Sequence, residues 1–240
     1  MSRSESIDVN ADLGEGFPND AALLRLVASA SVSCGAHAGD PDAVLRTLVE
    51  ARDRGVVVGA HPGYDDREGF GRRDRELNAG EVERLILGQV GDLRRLADEA
   101  GVPIRFLKPH GALYNQAQRR PETARGVVAS AVALGLPLLG QPGTLLESLA
   151  GEAAVSFVPE GFPDRRYLAD GSLAPRSRTD AVLHDPDEVA ANVRALLDAG
   201  RVRTLCIHGD HHDAVAQATR LREILDGLGI AVRPPAGEAS

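Results

Sequence analysis

The sequence predicts a single α/β domain built as a TIM-like barrel of seven parallel strands, (β/α)7, with its chemistry gathered at one mouth. Three observations point there. Seven short apolar runs, many of them β-branched, are bounded by Gly or Pro and read as buried strands. Longer amphipathic segments separate them, as crossovers between parallel strands require. Polar residues stand at the ends of many different runs. That suits a closed barrel, whose strand ends share one mouth, better than an open doubly wound sheet with a single crevice.

The strands are expected at 7–13, 31–34, 56–60, 104–107, 136–140, 155–158 and 204–207. Asp40-Pro41 opens a helix that Gly55 closes, Pro121 and Gly135 frame another, and Asp185-Pro186 and Gly200 a third. Proline suits the first helical position because the amide hydrogen it lacks has no partner there, and glycine accepts the left-handed conformation just past the last turn. The longest helix is expected from about Ala79 to Ala100, ended by Gly101, and the last from about Asp213 to Leu228, ended by Gly229. The domain is expected to span 1–240, with 1–6 and 233–240 as tails.

With 240 residues, 43% of them hydrophobic, and no apolar run near the roughly 18 residues of a membrane helix, the chain is expected to bury one core and span no membrane. A net charge of −8 argues against nucleic acid or an anionic membrane surface as partner. Aromatic residues at 3% and the absence of Trp leave few platforms for stacking bases. The N-terminus enters an apolar strand without a signal-peptide core, so a cytoplasmic location is expected. A disulfide between Cys34 and Cys206 is not expected in such a compartment.

Of 27 basic residues, only Lys108 is a lysine. An ammonium is a compact charge that can lose its proton when desolvated, whereas a guanidinium cannot. Lys108 ends the fourth run, and alternation along a strand puts residues i and i+2 on one face. Asn10 therefore shares a face with Asp12, Lys108 with His110, and His208 with Asp210. His37, His61 and Glu160 end the second, third and sixth runs. A single strand-end histidine is commonly a hydrogen-bonded core residue, but His37, His61, His110 and His208 all follow apolar runs beside small residues, which points to one shared site. His184, His211 and His212 fall in loops or at helix starts and are expected to be solvated.

Eight blocks carry a family resemblance. They are Asn10-Ala11-Asp12-Leu13-Gly14-Glu15-Gly16, Cys34-Gly35-Ala36-His37-Ala38-Gly39-Asp40-Pro41, Gly59-Ala60-His61-Pro62-Gly63-Tyr64, Gly69-Phe70-Gly71-Arg72-Arg73, Lys108-Pro109-His110-Gly111-Ala112-Leu113-Tyr114-Asn115, Asp164-Arg165-Arg166-Tyr167, Pro175-Arg176 and His208-Gly209-Asp210. In these the chain resembles the LamB/YcsF family over nearly its whole length. The resemblance implies a seven-stranded barrel related to the glycoside hydrolase/deacetylase barrels. It also implies ATP-dependent opening of the lactam ring of 5-oxoproline (pyroglutamate) to glutamate, with ADP and phosphate, by the A component of a 5-oxoprolinase working with subunits B and C. The sequence departs from the family at Ala11, where Cys is usual, at Ala36, at Pro163, and at His211-His212-Asp213, where Thr-Pro-Gly is typical. The first argues against a nucleophilic cysteine there, and the last leaves the shape of the seventh-strand loop open.

The expected catalytic set is Asp12, His61, Lys108, His110 and Asp210, with Asn10, Glu15, His37, Arg72, Arg73, Tyr114, Asn115, Glu160, Arg165 and His208 contacting substrate or nucleotide. A lactam is a poor electrophile, so ATP coupling most simply phosphorylates the amide oxygen before water attacks. Phosphoryl transfer needs cations on the moving group and usually Mg²⁺, and the chain has no Gly-x-x-x-x-Gly-Lys-Ser/Thr loop. Lys108, Arg72, Arg73 and Arg165 are the candidate phosphate clamps, and Asp12, Glu15 and Asp210 the candidate Mg²⁺ ligands or bases. Arg72-Arg73 reads equally as a solvated part of the charge run 65–76. A second reading makes the barrel a metal-dependent amidohydrolase or deacetylase in which Asp12, His61 and His37, or His110 in place of His37, hold a divalent ion that acidifies water. A third makes it a non-catalytic substrate-binding subunit.

Overall fold

Strand and helix alternate along the chain in the computed structural model, which describes residues 5–168, 171–174, 178–210 and 212–235. The strands are β1 (Ser6–Leu13), β2 (Ser29–Ser33), β3 (Val57–His61), β4 (Ile104–Leu107), β5 (Leu138–Gly140), β6 (Phe157–Gly161), β7 (Thr204–His208) and β8 (Ala231–Val232). The helices are α1 (Asp20–Leu23), α2 (Pro41–Arg54), α3 (Ala79–Ala100), α4 (Gly111–Ala117), α5 (Pro121–Leu134), α6 (Leu145–Glu152), α7 (Pro186–Ala199) and α8 (Ala214–Gly227). Strands β1 to β7 pair in chain order, all parallel, and β1 pairs again with β2 and β7, closing a seven-stranded barrel. Two-residue β8 adds to the start of β1, opposite Ser6 and Ile7.

The long helices begin and end where their punctuation placed them. Asp40 caps α2 by accepting the Ala43 N–H at 2.8 Å, Asn78 and Glu81 form a reciprocal capping box on α3, and Gly55, Gly101, Gly135 and Gly200 close their helices in the left-handed region. The short helices α1, α4 and α6 have no side-chain cap and give no such signal. Strand β2 starts at Ser29, two residues before the expected 31, because Ser29 is buried with a partner inside the barrel: its Oγ donates to Asp8 Oδ2 at 2.8 Å. Strand β6 is Phe157–Gly161 rather than 155–158, since Pro159 needs no amide hydrogen to accept one from Arg203 at its carbonyl. The expected tails are too long at their inner ends. Ser6 is already in β1, and the Arg233 N–H donates to the Ile7 carbonyl at 3.0 Å.

Alternation divides each strand between two environments. On β1, Val9, Ala11 and Leu13 pack outward into the apolar layer beneath the helices, while Asp8, Asn10 and Asp12 occupy the alternate, inward face. Phe106, two residues before Lys108, clusters with Leu139 and Val158, and Gly59 leaves room for its ring, because a Cβ there would stand 2.1 Å from it. The interior is thus partly aromatic and partly a column of small polar side chains. No helix among the described residues is long and apolar enough to cross a membrane.

Asp8 is the lowest polar group of that column. It accepts hydrogen bonds at Oδ2 from Ser29 and Thr204, but Oδ1 is buried without a partner, and burial pushes the carboxyl up to about 7 despite those bonds. The folded chain therefore keeps a proton that the unfolded chain releases near pH 4, so stability falls as pH rises between those values and is level above. Asp8→Asn keeps both bonds and removes the titration. Urea melts at pH 4.5 and 7.5 should show the wild type losing about 3 kcal/mol relative to Asp8→Asn across that interval. Parallel pH dependences in the two proteins would contradict the assignment.

Candidate functional site

Beyond β4 the ladder continues through backbone bonds from the Lys108 N–H to Ala60 O at 2.9 Å and from the His110 N–H to Pro62 O at 2.8 Å, so Lys108 and His110 keep to the inward face. Lys108 is 2% exposed. Its ammonium lies 2.7 Å from Glu160 Oε1, 2.8 Å from Asp12 Oδ1, and 3.0 Å from both Asn10 Oδ1 and Cys206 Sγ. Since an ammonium only donates, Asn10 must turn its oxygen to Lys108 and its amide away. That amide reaches Thr204 Oγ1 at 2.8 Å and Glu160 Oε1 at 3.0 Å. Burial alone would strip the ammonium of its proton, but the charges of Asp12 and Glu160 outweigh it and hold its pKa well above the lysine range. Asp12 is held well below the carboxylate range, His61 and Lys108 overriding its burial. The Cys206 thiol is pushed up by burial and by Asp12, and stays neutral.

Next to this ion pair is a stack of imidazoles. His61 Nδ1 is 2.7 Å from the Lys108 carbonyl and its Nε2 is 3.4 Å from Asp12 Oδ2. His110 Nε2 is 2.9 Å from the Phe70 carbonyl, and its Nδ1 lies 3.1 Å from His61 Nε2 and 3.4 Å from Glu15 Oε1. His37 stacks on His110 with ring centroids 3.8 Å apart, its Nε2 3.1 Å from the same Glu15 oxygen. Glycines make this packing possible. A Cβ on Gly63 would come within 2.8 Å of His37 Nδ1, and one on Gly71, at φ 64°, within 2.9 Å of His37 Cβ. Burial and His61 push His37 down to about 3. Burial, His37 and His61 hold His110 well below the histidine range. Both rings are neutral at neutral pH. Glu15 is raised well above the carboxylate range by burial and by the charges of Asp12 and Asp210.

A cavity of about 1200 Å³ opens over these groups, with Asp12, His61, Lys108, His110 and His208 on one wall. Tyr114, clustered with Cys206 and Phe162, packs edge-on against the Phe162 ring, and its hydroxyl is buried without a hydrogen bond. Burial and the charge of Glu160 hold the phenol well above its ordinary range, and so protonated. His208 stacks on Phe162 and faces Asp164 at 3.3 Å.

Ten of the expected residues, Asn10, Asp12, Glu15, His37, His61, Lys108, His110, Tyr114, Glu160 and His208, meet at or just beneath this wall. The four expected phosphate clamps do not fit that role. Lys108 is enclosed by carboxylates, whose charge repels a phosphate. Arg72 pairs with Asp210 and lies over the Phe70 ring. Arg73 is 59% exposed, pairs with Glu68 and Asp66, and does not line the cavity. Arg165 borders the cavity, but its guanidinium donates to the Ala174 and Ala181 carbonyls at 2.7 and 3.3 Å, propping the loop that follows β6. Asn115 is exposed and bonds back to the Gly111 carbonyl. His184 and His212 are exposed, as expected, while Pro175-Arg176 and His211 lie outside the described residues.

The expected metal trio Asp12, His37 and His61 does not converge: Asp12 and His37 fall in separate groupings and His61 in neither. Ligand atoms converge at Glu15, His37 and His110, and at Asp12, Cys206 and His208. The second is filled by the Lys108 ammonium, 2.8 Å from Asp12 and 3.0 Å from Cys206. Cys206 drew attention in the sequence only as a disulfide partner, yet both cysteines are free. Its spacing of two from His208 was the signal that it shares the inward face. Thr204 carries the same signal, two residues further back.

The LamB/YcsF family model matches residues 7–240. The A component of the 5-oxoprolinase of Streptomyces coelicolor is 43% identical over 245 residues, 94% of this chain and 98% of that one. The crystal structure of a lactam utilization protein from Thermus thermophilus superposes with a TM-score of 0.88 at 39% identity, covering 95% of this chain and 99% of that one. A T48 deacetylase with substrate shares the fold at 17% identity, with a TM-score of 0.54 over 95% of this chain and 87% of that one.

Replacing Lys108 tests the central ion pair. Lys108→Met keeps the length of the side chain but leaves Asp12 and Glu160 buried without their cation, and should cost about 3–5 kcal/mol in a urea melt at pH 7. A variant as stable as the wild type would mean that the carboxylates do not depend on Lys108.

Proposed function

This chain belongs to the LamB/YcsF family, and from that premise we propose that it is the ring-opening subunit of a 5-oxoprolinase. The full reaction converts 5-oxoproline, ATP and water to glutamate, ADP and phosphate. In this reading ATP with Mg²⁺ is used on partner subunits B and C, and the activated lactam is opened in the cavity of this chain. The division is supported by the state of the cations: the candidate clamps are already paired to carboxylates or backbone carbonyls, and no P-loop is present.

One observation carries the catalytic part. The cavity holds a carboxylate kept ionised, Asp12, and a phenol kept protonated, Tyr114, and titratable groups driven apart in this way mark an acid and a base. Water adds to the activated carbon as Asp12 accepts one of its protons. The carbon–nitrogen bond then breaks while Tyr114 supplies a proton to the ring nitrogen, and a second water releases phosphate. Lys108 does not meet the phosphoryl group in this scheme; it holds Asp12 in its charged form and fixed orientation.

The test is an assay of all three subunits with glutamate and ADP followed separately. Asp12→Asn should reduce glutamate formation by about 10²–10⁴-fold, the range for loss of a general base, while 5-oxoproline-dependent ADP formation by the partners persists. Glutamate formed at the wild-type rate would favour a non-catalytic substrate-binding subunit. ATP hydrolysis by this chain alone would overturn the division of labour.

A further inference from the structure

Among the described residues, five lysine and arginine side chains border the cavity: Lys108, Arg72, Arg119, Arg165 and Arg201. Four of them are engaged. Lys108 is held by Asp12 and Glu160, Arg72 by Asp210 and Arg165 by two backbone carbonyls, while Arg119 faces Asp74 at 3.7 Å. Arg201 has no hydrogen bond and no ion pair within the described residues. The acids that line the cavity, Asp12 and Asp74, are paired to other cations, so the charge of Arg201 is uncompensated.

Arg201 precedes β7 and rests on the loop between β5 and α6. A Cβ on Gly143, at φ 77°, would stand 2.7 Å from a guanidinium nitrogen of Arg201, so glycine is what admits the fork there. Two residues earlier, Gln141 lines the cavity at 7% exposure. Its backbone is satisfied: the N–H donates to Gln118 Oε1 at 3.3 Å, and the carbonyl accepts from Thr144 Oγ1 at 2.8 Å. Its side-chain amide makes no hydrogen bond within the described residues. An enclosed amide without a protein partner is costly unless the contents of the cavity supply one. The loop ends at Thr144 and Leu145, which line the cavity at the start of α6. The Thr144 hydroxyl donates to Gln118 and Gln141 rather than capping the helix, so the first turn keeps its positive dipole end and amide hydrogens to spare. Glu147 in that turn accepts from the Gly143 N–H and is not part of the cavity lining.

A guanidinium fork, an unpaired amide and a helix N-terminus are donors of the kind that hold a phosphate. We propose that Arg201, Gln141 and the first turn of α6 form a binding site for one phosphate-class oxyanion, made of none of the residues of the acceptor-rich wall around Asp12. The cavity of about 1200 Å³ exceeds the roughly 300–1,000 Å³ of ordinary small-molecule sites, which leaves room for such a group beside a lactam ring. Its source is either the phosphoryl group of the activated lactam or a nucleotide phosphate. The site goes beyond the ring-opening reading and does not depend on it, since anion binding requires neither Asp12 nor turnover.

The full-length chain alone is titrated calorimetrically with inorganic phosphate and, separately, with ADP, at constant ionic strength in chloride. Thermal midpoints are recorded in parallel. One equivalent of phosphate should bind and raise the midpoint, because a ligand that binds only the folded state stabilises it. Arg201→Gln and Gln141→Leu should each weaken binding about tenfold or more, as loss of a charge-assisted hydrogen bond does. Arg203→Gln makes the same charge change at an exposed residue outside the cavity lining and should leave binding as it is. ADP bound more tightly than phosphate, and lost with Arg201, identifies a nucleotide phosphate as the occupant; phosphate bound at least as tightly as ADP identifies the group released from the lactam. The wild-type titrations keep the test decisive even where Gln141→Leu fails to fold. No binding of either probe, binding that survives both substitutions, or an equal loss in Arg203→Gln would overturn the site.

Discussion

The structure depends on one buried cation between two buried carboxylates. Lys108 joins the end of β4 to Asp12 on β1 and Glu160 on β6, segments far apart in sequence that enter the barrel from different sides. Removing such charges from water costs several kcal/mol per ion, and the attraction between them offsets this only where the remaining donors and acceptors are also satisfied. Asn10 and Thr204 supply that satisfaction for Lys108 and one edge of Glu160. Arginine does not substitute easily here, because a planar fork of five donors cannot be turned to four acceptors around a point. The one lysine of the chain is where a compact ammonium is needed.

From that pair the chemistry of the mouth follows in order. Lys108 and His61 keep Asp12 ionised, while burial keeps His37 and His110 neutral beside it. The two backbone carbonyls then fix the ring tautomers and turn their free nitrogens towards Asp12 and Glu15. The wall so formed is rich in acceptors. It is suited to taking protons from water and ill suited to clamping a phosphate, whereas the phenol of Tyr114, beside Cys206 and Phe162, offers a proton.

Much of the fold was legible because its signals are local. Pro41, Pro121 and Pro186 at helix starts, and Gly55, Gly135 and Gly200 just past helix ends, act through the conformation of their own residues, and strand alternation placed Asn10, Asp12, Lys108 and His110 on one face. What strand alternation does not contain is which strand lies opposite. Lys108 on an inward face could have met a ligand; only closure of the barrel shows that it meets Glu160. Arginines were the least legible, because their charge is in the sequence and their direction is not: Arg165 turns to carbonyls 9 and 16 residues away, and Arg73 turns outward to Glu68. Ser29 and Thr204 escaped a hydrophobicity-based reading because their partners are on other strands.

The single lysine makes the central claim directly measurable. Growth with side-chain ¹⁵N-labelled lysine yields one amine signal, free of overlap, whose shift reports whether Lys108 is charged. If Asp12 and Glu160 hold the ammonium as the geometry requires, the signal remains that of a charged amine, without a titration step, through and beyond the ordinary lysine pKa of about 10.4, and Asp12→Asn brings its titration to lower pH. A neutral amine at pH 8 in the folded wild-type protein would contradict the account.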